Sequence, residues 1–309
     1  MIKQEIGIIL SLSILLCISF LLHKSFFVLV IACYFLVSFF IIIRIKTHTT
    51  YEYSQYNLYT KSDIPNIIYT YWHSETLPLL VEKCISSWKR HLPNYSIHII
   101  HDKNISEYIS EYITVKWKDT LSHQQRADLI RLELLHKTGG IWLDSTIYLN
   151  QSLDWVHAYQ RAEQSEYVGF KINYFQTTST PVVENWFMAS VPNSKFITEW
   201  RMEFNTMLNY SDVKFFVKSL QHKKVDFQAI DNPYYLSMHI SCLSILKHNT
   251  YALSLLTAEN GPLKYLALSY MTTLFFPMIC IGKGLDSPII KIRGPERNIM
   301  DWLKLHLFI

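Results

Sequence analysis

Two long apolar runs open the chain, residues 6–22 and 26–43, separated by His23, Lys24 and Ser25 and free of charge within. A bilayer core of about 30 Å is crossed by roughly 17–25 helical residues, so each run is long enough to span it. The spacing predicts two antiparallel membrane helices in an anchor over residues 1–46, or a single long tilted helix. A cleaved leader fits less well, because the first run is too long and lacks a small-x-small cleavage site. Residues 47–62 are polar and aromatic and read as a linker or interfacial collar. The body, residues 63–309, then changes period. After Pro65 a β-branched and aromatic run predicts a strand over residues 66–72. Over residues 79–91, Leu80, Cys84, Ile85 and Trp88 recur on one helical stripe. Residues 95–101 alternate like a second strand that ends at Asp102, and residues 104–117 read as helix or loop.

The next stretch is the most informative. Ser122 and Gln125 form an S-x-x-Q capping box, which predicts a helix start. Gly139 and Gly140 predict its end, the first as the left-handed residue and the second for a tight turn. In IWLDSTIYL, Ile141, Leu143, Ile147 and Leu149 alternate with Trp142, Asp144, Thr146 and Tyr148. That predicts one strand, with Asp144 and Thr146 on its less aliphatic face. Strand, helix, strand, helix, strand is the α/β pattern of a parallel sheet, which binds ligands beyond the carboxyl ends of its strands. Trp72, Asp102 and Asp144 fall at such ends. Further on, the pattern predicts a strand over residues 168–172, an amphipathic helix over 195–207, and a largely helical region over 211–260 broken at Asn232-Pro233. Residues 267–282 are apolar around Pro277 and read as a buried or membrane-surface segment.

Composition narrows the function classes. Half the chain is hydrophobic and 17% is charged, with the apolar excess concentrated at the front. Lys3 precedes the first run, Arg44 and Lys46 follow the second, and Lys24 alone lies between them. Positive residues stay inside, so the body is expected on the cytosolic side of a cell membrane. Of the five cysteines, Cys17 and Cys33 lie in the runs, leaving Cys84, Cys242 and Cys280 in the body. An odd number in apolar settings, without CxxC spacing, argues against a disulfide framework or a zinc site. The net charge of +4 comes without a basic cluster, which excludes nucleic acid as the expected partner and fits a surface near anionic headgroups. Two spans without intramembrane charges offer no transport pathway.

The candidate chemistry sits on the capped helix and the strand after it. Asp128 and Arg131 are three apart and project from the same helical side. Asp144 places a charge near the end of an apolar strand, which is costly unless something binds it.

The segments IPNIIYTYWHSETLPLLVEKCISSWKRHLPNYSIHIIHD and ADLIRLELLHKTGGIWLDSTIYL together resemble the capsular polysaccharide synthesis glycosyltransferases. These are relatives of the family 32 sugar transferases with the DXD motif, among them yeast-type initiating mannosyltransferases. The resemblance covers residues 63–150 and extends through ENWFMAS, the Asn260-Gly261-Pro262 turn and IKIRGPER. It implies a Rossmann-like GT-A domain that binds a UDP- or GDP-sugar and passes a hexose to a glycan or lipid-linked acceptor with retention.

Residue by residue, the resemblance implies that Trp72 stacks on the base and that Asp128 accepts from sugar hydroxyls. Arg131 would hold the sugar or phosphate side, and Asp144 would be the catalytic aspartate that meets the donor sugar and, through water, a metal. His73, Arg293 and Arg297, with Lys291, are candidates for the diphosphate, and Glu259 and Asp231 for acceptor contacts. Thr146 departs from the pattern: it stands where the family has the second aspartate that ligates Mn²⁺ or Mg²⁺. That leaves two expectations for the charge, an ion held by Asp144 and the diphosphate or cationic side chains in its stead. It also keeps a non-catalytic sugar-nucleotide-binding or scaffolding relative in view. A Golgi-lumenal type II transferase would require one span and the opposite topology.

Overall fold

The β-branched run after Pro65 forms β1 (Ile67–Tyr71), and the alternating run that follows forms β2 (Ser96–Ile100). Between them α1 (Leu79–His91) buries Leu80, Val81, Cys84, Ile85 and Trp88 along the predicted stripe. The computed structural model describes residues 62–110, 113, 121–173, 180–264 and 287–302. The two expected membrane runs, the collar up to residue 61, most of residues 104–117 beyond Ser110, and residues 267–282 lie outside those residues. Among the described residues no helix is long and apolar enough to cross a membrane.

The capping box is present in full. The Ser122 hydroxyl accepts from Gln125 N at 3.2 Å, and the Gln125 side chain accepts from Ser122 N at 2.9 Å. It opens α2 (His123–Thr138), which buries Leu129, Ile130, Leu132, Leu134 and Leu135 together with Asp128 and Arg131. Gly139 ends the helix with φ 65° and ψ −159°, an extended positive-φ shape rather than the left-handed turn expected, and Gly140 follows at φ 101°. A side chain on Gly139 would come within 2.6 Å of Pro192 N, and one on Gly140 within 2.9 Å of Ile67 O. Both glycines are therefore required where the helix crosses closely onto the sheet.

The expected single strand after Gly140 is two. β3 (Gly140–Leu143) lies in the main sheet, while β4 (Ile147–Leu149) leaves it to pair with β8 (Ile289–Lys291). The break lies at Asp144, whose carbonyl accepts from Ile147 N at 2.9 Å and closes a turn over residues 144–147. The turn pairs backbone groups where β3 leaves the ladder, and it leaves Asp144 and Thr146 just beyond the carboxyl end of β3.

The main sheet has the order β2-β1-β3-β6-β5-β7, where β5 is Tyr167–Ile172, β6 Val182–Ser190 and β7 Leu253–Thr257. β1, β2 and β3 are parallel as expected, but β6 runs antiparallel to both β3 and β5, so the sheet is mixed. β7 falls inside the region read as helical: LSLLT is apolar at three of its five positions and buried at all of them, so it carries no alternation of buried and exposed residues.

Alternation elsewhere sorts side chains to two faces. Ile68, Ile141, Leu143 and Val168 join α1 and α3 (Asp154–Glu163), while Tyr69, Trp142, Tyr167 and Met188 join α2 and three later helices. Those are α4 (Lys195–Asn205), α5 (Val213–His222) and α6 (Ser237–His248). The result is helices on both faces of a mixed Rossmann-like sheet. Cys84 and Cys242 are buried and unbridged. α7 (Gly294–Trp302) follows β8 directly.

Candidate active site

Beyond the carboxyl ends of β1 and β3 lies a cavity of about 670 Å³, a volume suited to a small-molecule ligand. Strand direction explains its walls. Parallel β1 and β3 deliver Trp72 and Asp144 there, and antiparallel β6, paired Leu143↔Phe187, delivers Glu184 and Asn185 from its N-terminal half to the same end. α2 lines it with Asp128 and Arg131. The β4–β8 pairing, Ile147↔Lys291, brings the C-terminal basic segment across, so Lys291, Arg293 and Arg297 also line it.

Arg131 is the hub. Its guanidinium lies 3.1 Å from Asp128 Oδ1 and 3.4 Å from Asp144 Oδ1, and it donates to the Asn185 and Ala127 carbonyls. It also lies 4.8 Å from the Trp142 ring centroid. At 3% exposure it is committed to the protein and fixes both carboxylates. Arg131 also lines the cavity, while the contacts above turn its guanidinium toward these neighbours.

Asp128 is 1% exposed and accepts from Asn185 Nδ2 at 3.0 Å. Burial pushes its pKa up to about 6, against the pull of Arg131 and His239. Asp144 also meets a burial effect that raises its pKa. The charges of Lys291 and Arg131, and hydrogen bonds from Lys291 and Trp142, outweigh it and hold the carboxyl below the usual range. Trp142 Nε1 donates to Oδ1 at 3.0 Å and Lys291 Nζ to Oδ2 at 2.6 Å. Asp144 is therefore an oriented carboxylate facing the cavity.

Across from it Trp72 follows β1, its amide donating to Ile100 O at 2.9 Å. The Arg297 guanidinium sits 5.9 Å from its ring centroid. His73 stacks on His123 at 4.2 Å, and burial, then the neighbouring His73, lower the pKa of His123. Arg293 is held by Glu296 through two bonds of 3.1 and 2.6 Å. Asp102, at the end of β2, is engaged by the Tyr71 hydroxyl at 2.5 Å and does not line the cavity. Neither do Asp231 and Glu259; Glu259 accepts from Asn173 N at 2.7 Å.

The structure adds residues the sequence reading left out. Glu184 is a third carboxylate in the cavity, beside Asp128 and Asp144, and lies 3.3 Å from His239 Nε2 on α6, while Asn185 braces Asp128. Tyr235, 57% exposed, lines the cavity from the loop before α6. The segment ENWFMAS carried Glu184 and Asn185, but nothing local marks His239 or Tyr235.

Among the described residues no three His, Cys, Asp or Glu side chains gather where they could hold a metal ion. Lys291 Nζ lies 2.6 Å from Asp144 Oδ2 and 3.5 Å from Thr146 Oγ1. One carboxylate whose second oxygen is taken by an ammonium, beside a neutral hydroxyl, does not fit a hard divalent cation, which favours carboxylate oxygens and would be repelled by the ammonium.

Comparison with known proteins agrees with the resemblance. The chain is 28% identical over 173 residues to the glycosyltransferase afumC of Aspergillus fumigatus, covering 50% of this chain and 44% of that protein. It is 26% identical over 150 residues to the O-glycosyltransferase braB of Annulohypoxylon truncatum, covering 43% and 35%. Inositol phosphoceramide mannosyltransferase 3 of Schizosaccharomyces pombe is 27% identical over 116 residues, covering 36% and 32%. The chain thus spans less than half the length of these curated relatives. Among solved structures, PaToxG glycosyltransferase aligns with a TM-score of 0.34 at 14% identity, over 70% of this chain and 88% of that one. The glycosyltransferase GlyE of Streptococcus pneumoniae aligns with a TM-score of 0.43 at 11% identity, over 80% and 61%. The sequence model for the capsular polysaccharide synthesis protein matches residues 32–258, so the chain belongs to that family.

Proposed function

We propose that the protein is a membrane-anchored glycosyltransferase of the GT-A type. It takes a hexose from a UDP- or GDP-sugar and attaches it, with retention, to a capsular or other surface glycan or its lipid-linked precursor. The observation that carries this reading is the position of Asp144. It is an ionised carboxylate fixed by Arg131, Trp142 and Lys291 at the carboxyl end of β3, facing a cavity of about 670 Å³. The relatives' names support the reaction class, and the family description supports the acceptor.

In this reading Trp72 takes the base on its ring, a large contact made at little entropic cost. Asp144 meets the donor sugar, and Arg131, paired with Asp128, holds that carboxylate in place. His73, Arg293 and Arg297 sit where the diphosphate would lie. The protein's work is positioning and electrostatic stabilisation of the departing nucleoside diphosphate. Residues 6–22 and 26–43 serve as the anchor, with the catalytic body on the cytosolic side. Purified full-length protein incubated with a panel of UDP- and GDP-sugars should bind and slowly hydrolyse one of them. No turnover of any donor, with acceptor extract supplied, would leave the non-catalytic reading in its place.

A further inference from the structure

Lys291 is fixed by pairings far from it in sequence. β8 pairs antiparallel with β4, and Ile292 N donates to Thr146 O at 3.0 Å. That register carries the lysine side chain over the turn at residues 144–147. Its ammonium is 2.6 Å from Asp144 Oδ2 and 3.5 Å from Thr146 Oγ1, with the side chain 11% exposed at the cavity wall. It therefore occupies the space between the two positions whose side chains would share a cation in the DXD pattern.

Charge counting points the same way. Two carboxylates and one divalent cation sum to zero, and so do the single carboxylate Asp144 and the single ammonium Lys291. With Thr146 neutral, the Lys291 ammonium balances the one carboxylate it touches. Arg131 adds a second cation on the other oxygen of Asp144, at 3.4 Å, so the carboxylate lies between two fixed positive groups.

We propose that the Lys291 ammonium replaces the divalent cation, so that sugar transfer proceeds without a metal. This rests on the nucleotide-sugar reading above. In the transfer, the bond from the anomeric carbon to the diphosphate oxygen breaks and its electron pair leaves on that oxygen. The acceptor hydroxyl oxygen bonds to the anomeric carbon, and its proton passes to the nucleoside diphosphate. Lys291 keeps its own protons throughout. It holds Asp144 against the sugar and faces the negative charge that grows on the leaving group. Arg297, beside Trp72, adds to that field from the next turn of chain.

The test uses full-length protein in detergent and the donor found by the panel. Wild-type turnover should change less than about twofold between EDTA and added Mn²⁺. Lys291→Met should lower it by about 100-fold or more, and Lys291→Arg should recover part of the loss. The double variant Thr146→Asp, Lys291→Met rebuilds the two-carboxylate site. It should bind Mn²⁺ in the presence of nucleoside diphosphate, seen as loss of the free-ion electron paramagnetic resonance signal, and its turnover should depend on that ion. Wild-type activity that is lost in EDTA and restored by Mn²⁺ overturns the role of Lys291 while leaving the transferase reading intact. So does unchanged turnover in a folded Lys291→Met. Absence of turnover from every donor, with and without Mn²⁺, instead overturns the transferase reading.

Discussion

One wall of the cavity comes from residues 72–146 and the other from residues 184–297, and the two are built on different principles. The first wall hangs Trp72, Asp128, Arg131 and Asp144 on the ends of two parallel strands and one capped helix. Its spacing is local: three residues from Asp128 to Arg131, and a Gly-Gly turn before the strand that ends at Asp144. The second wall sets Glu184, His239, Lys291 and Arg297 from four separate elements against it, and only tertiary pairing brings them together. The charges divide as well. The first wall carries the two aspartates around a single buried arginine, and the second contributes Glu184 with His239 and the basic Lys291, Arg293 and Arg297. The second wall closes onto the first at the Asp144–Lys291 contact, which is where the proposed chemistry would sit.

Removing the hub should do the most damage. Arg131→Met strands Asp128 and Asp144 without their shared partner, and breaking such a buried pair costs about 3–5 kcal/mol. Urea unfolding should show that loss together with loss of donor turnover. A variant of native stability would mean the first wall does not depend on its arginine.

The next effect is one of pH. Burial places the Asp128 pKa at about 6 in the folded protein, above its unfolded value, so its contribution is fully present below about pH 4. It is lost as pH rises through about 6, a change of about 3 kcal/mol for a shift of about two units. Asp144 acts in the opposite sense: its stabilisation is present above the unfolded pKa and lost as pH falls below it. Unfolding free energy measured from pH 4 to 8 should carry the Asp128 slope, and Asp128→Asn should lack it. An identical slope in the variant would contradict the buried carboxylate.

Trp72→Ala tests whether the walls act on one ligand. Losing a stacked base costs about 1–3 kcal/mol, so calorimetry should show donor affinity falling about tenfold or more with stability little changed. Unaltered affinity would place the base elsewhere.

The same division explains what could be read from the chain. α1, α2 with its capping box, and β1 to β3 were legible because period, caps and glycines are local signals. The strand through Asp144 was legible as apolar alternation, but its break was not, because the turn depends on hydrogen bonds rather than on pattern. β7 was missed since a buried strand shows no alternation, and the antiparallel entry of β6 depends on pairing. Arg293, Arg297 and Lys291 were noted as basic residues, yet only the β4–β8 pairing turns a C-terminal segment into a cavity wall. Glu184 and His239 gain meaning only from each other.

The measurement that bears most directly on the central claim is turnover of the active sugar nucleotide by Asp144→Asn, with folding checked by circular dichroism. The amide keeps the shape and loses the charge that Arg131 and Lys291 hold in place. A folded variant with turnover reduced by about 100-fold or more is the expected result; a folded variant that turns over the donor at the native rate would contradict it.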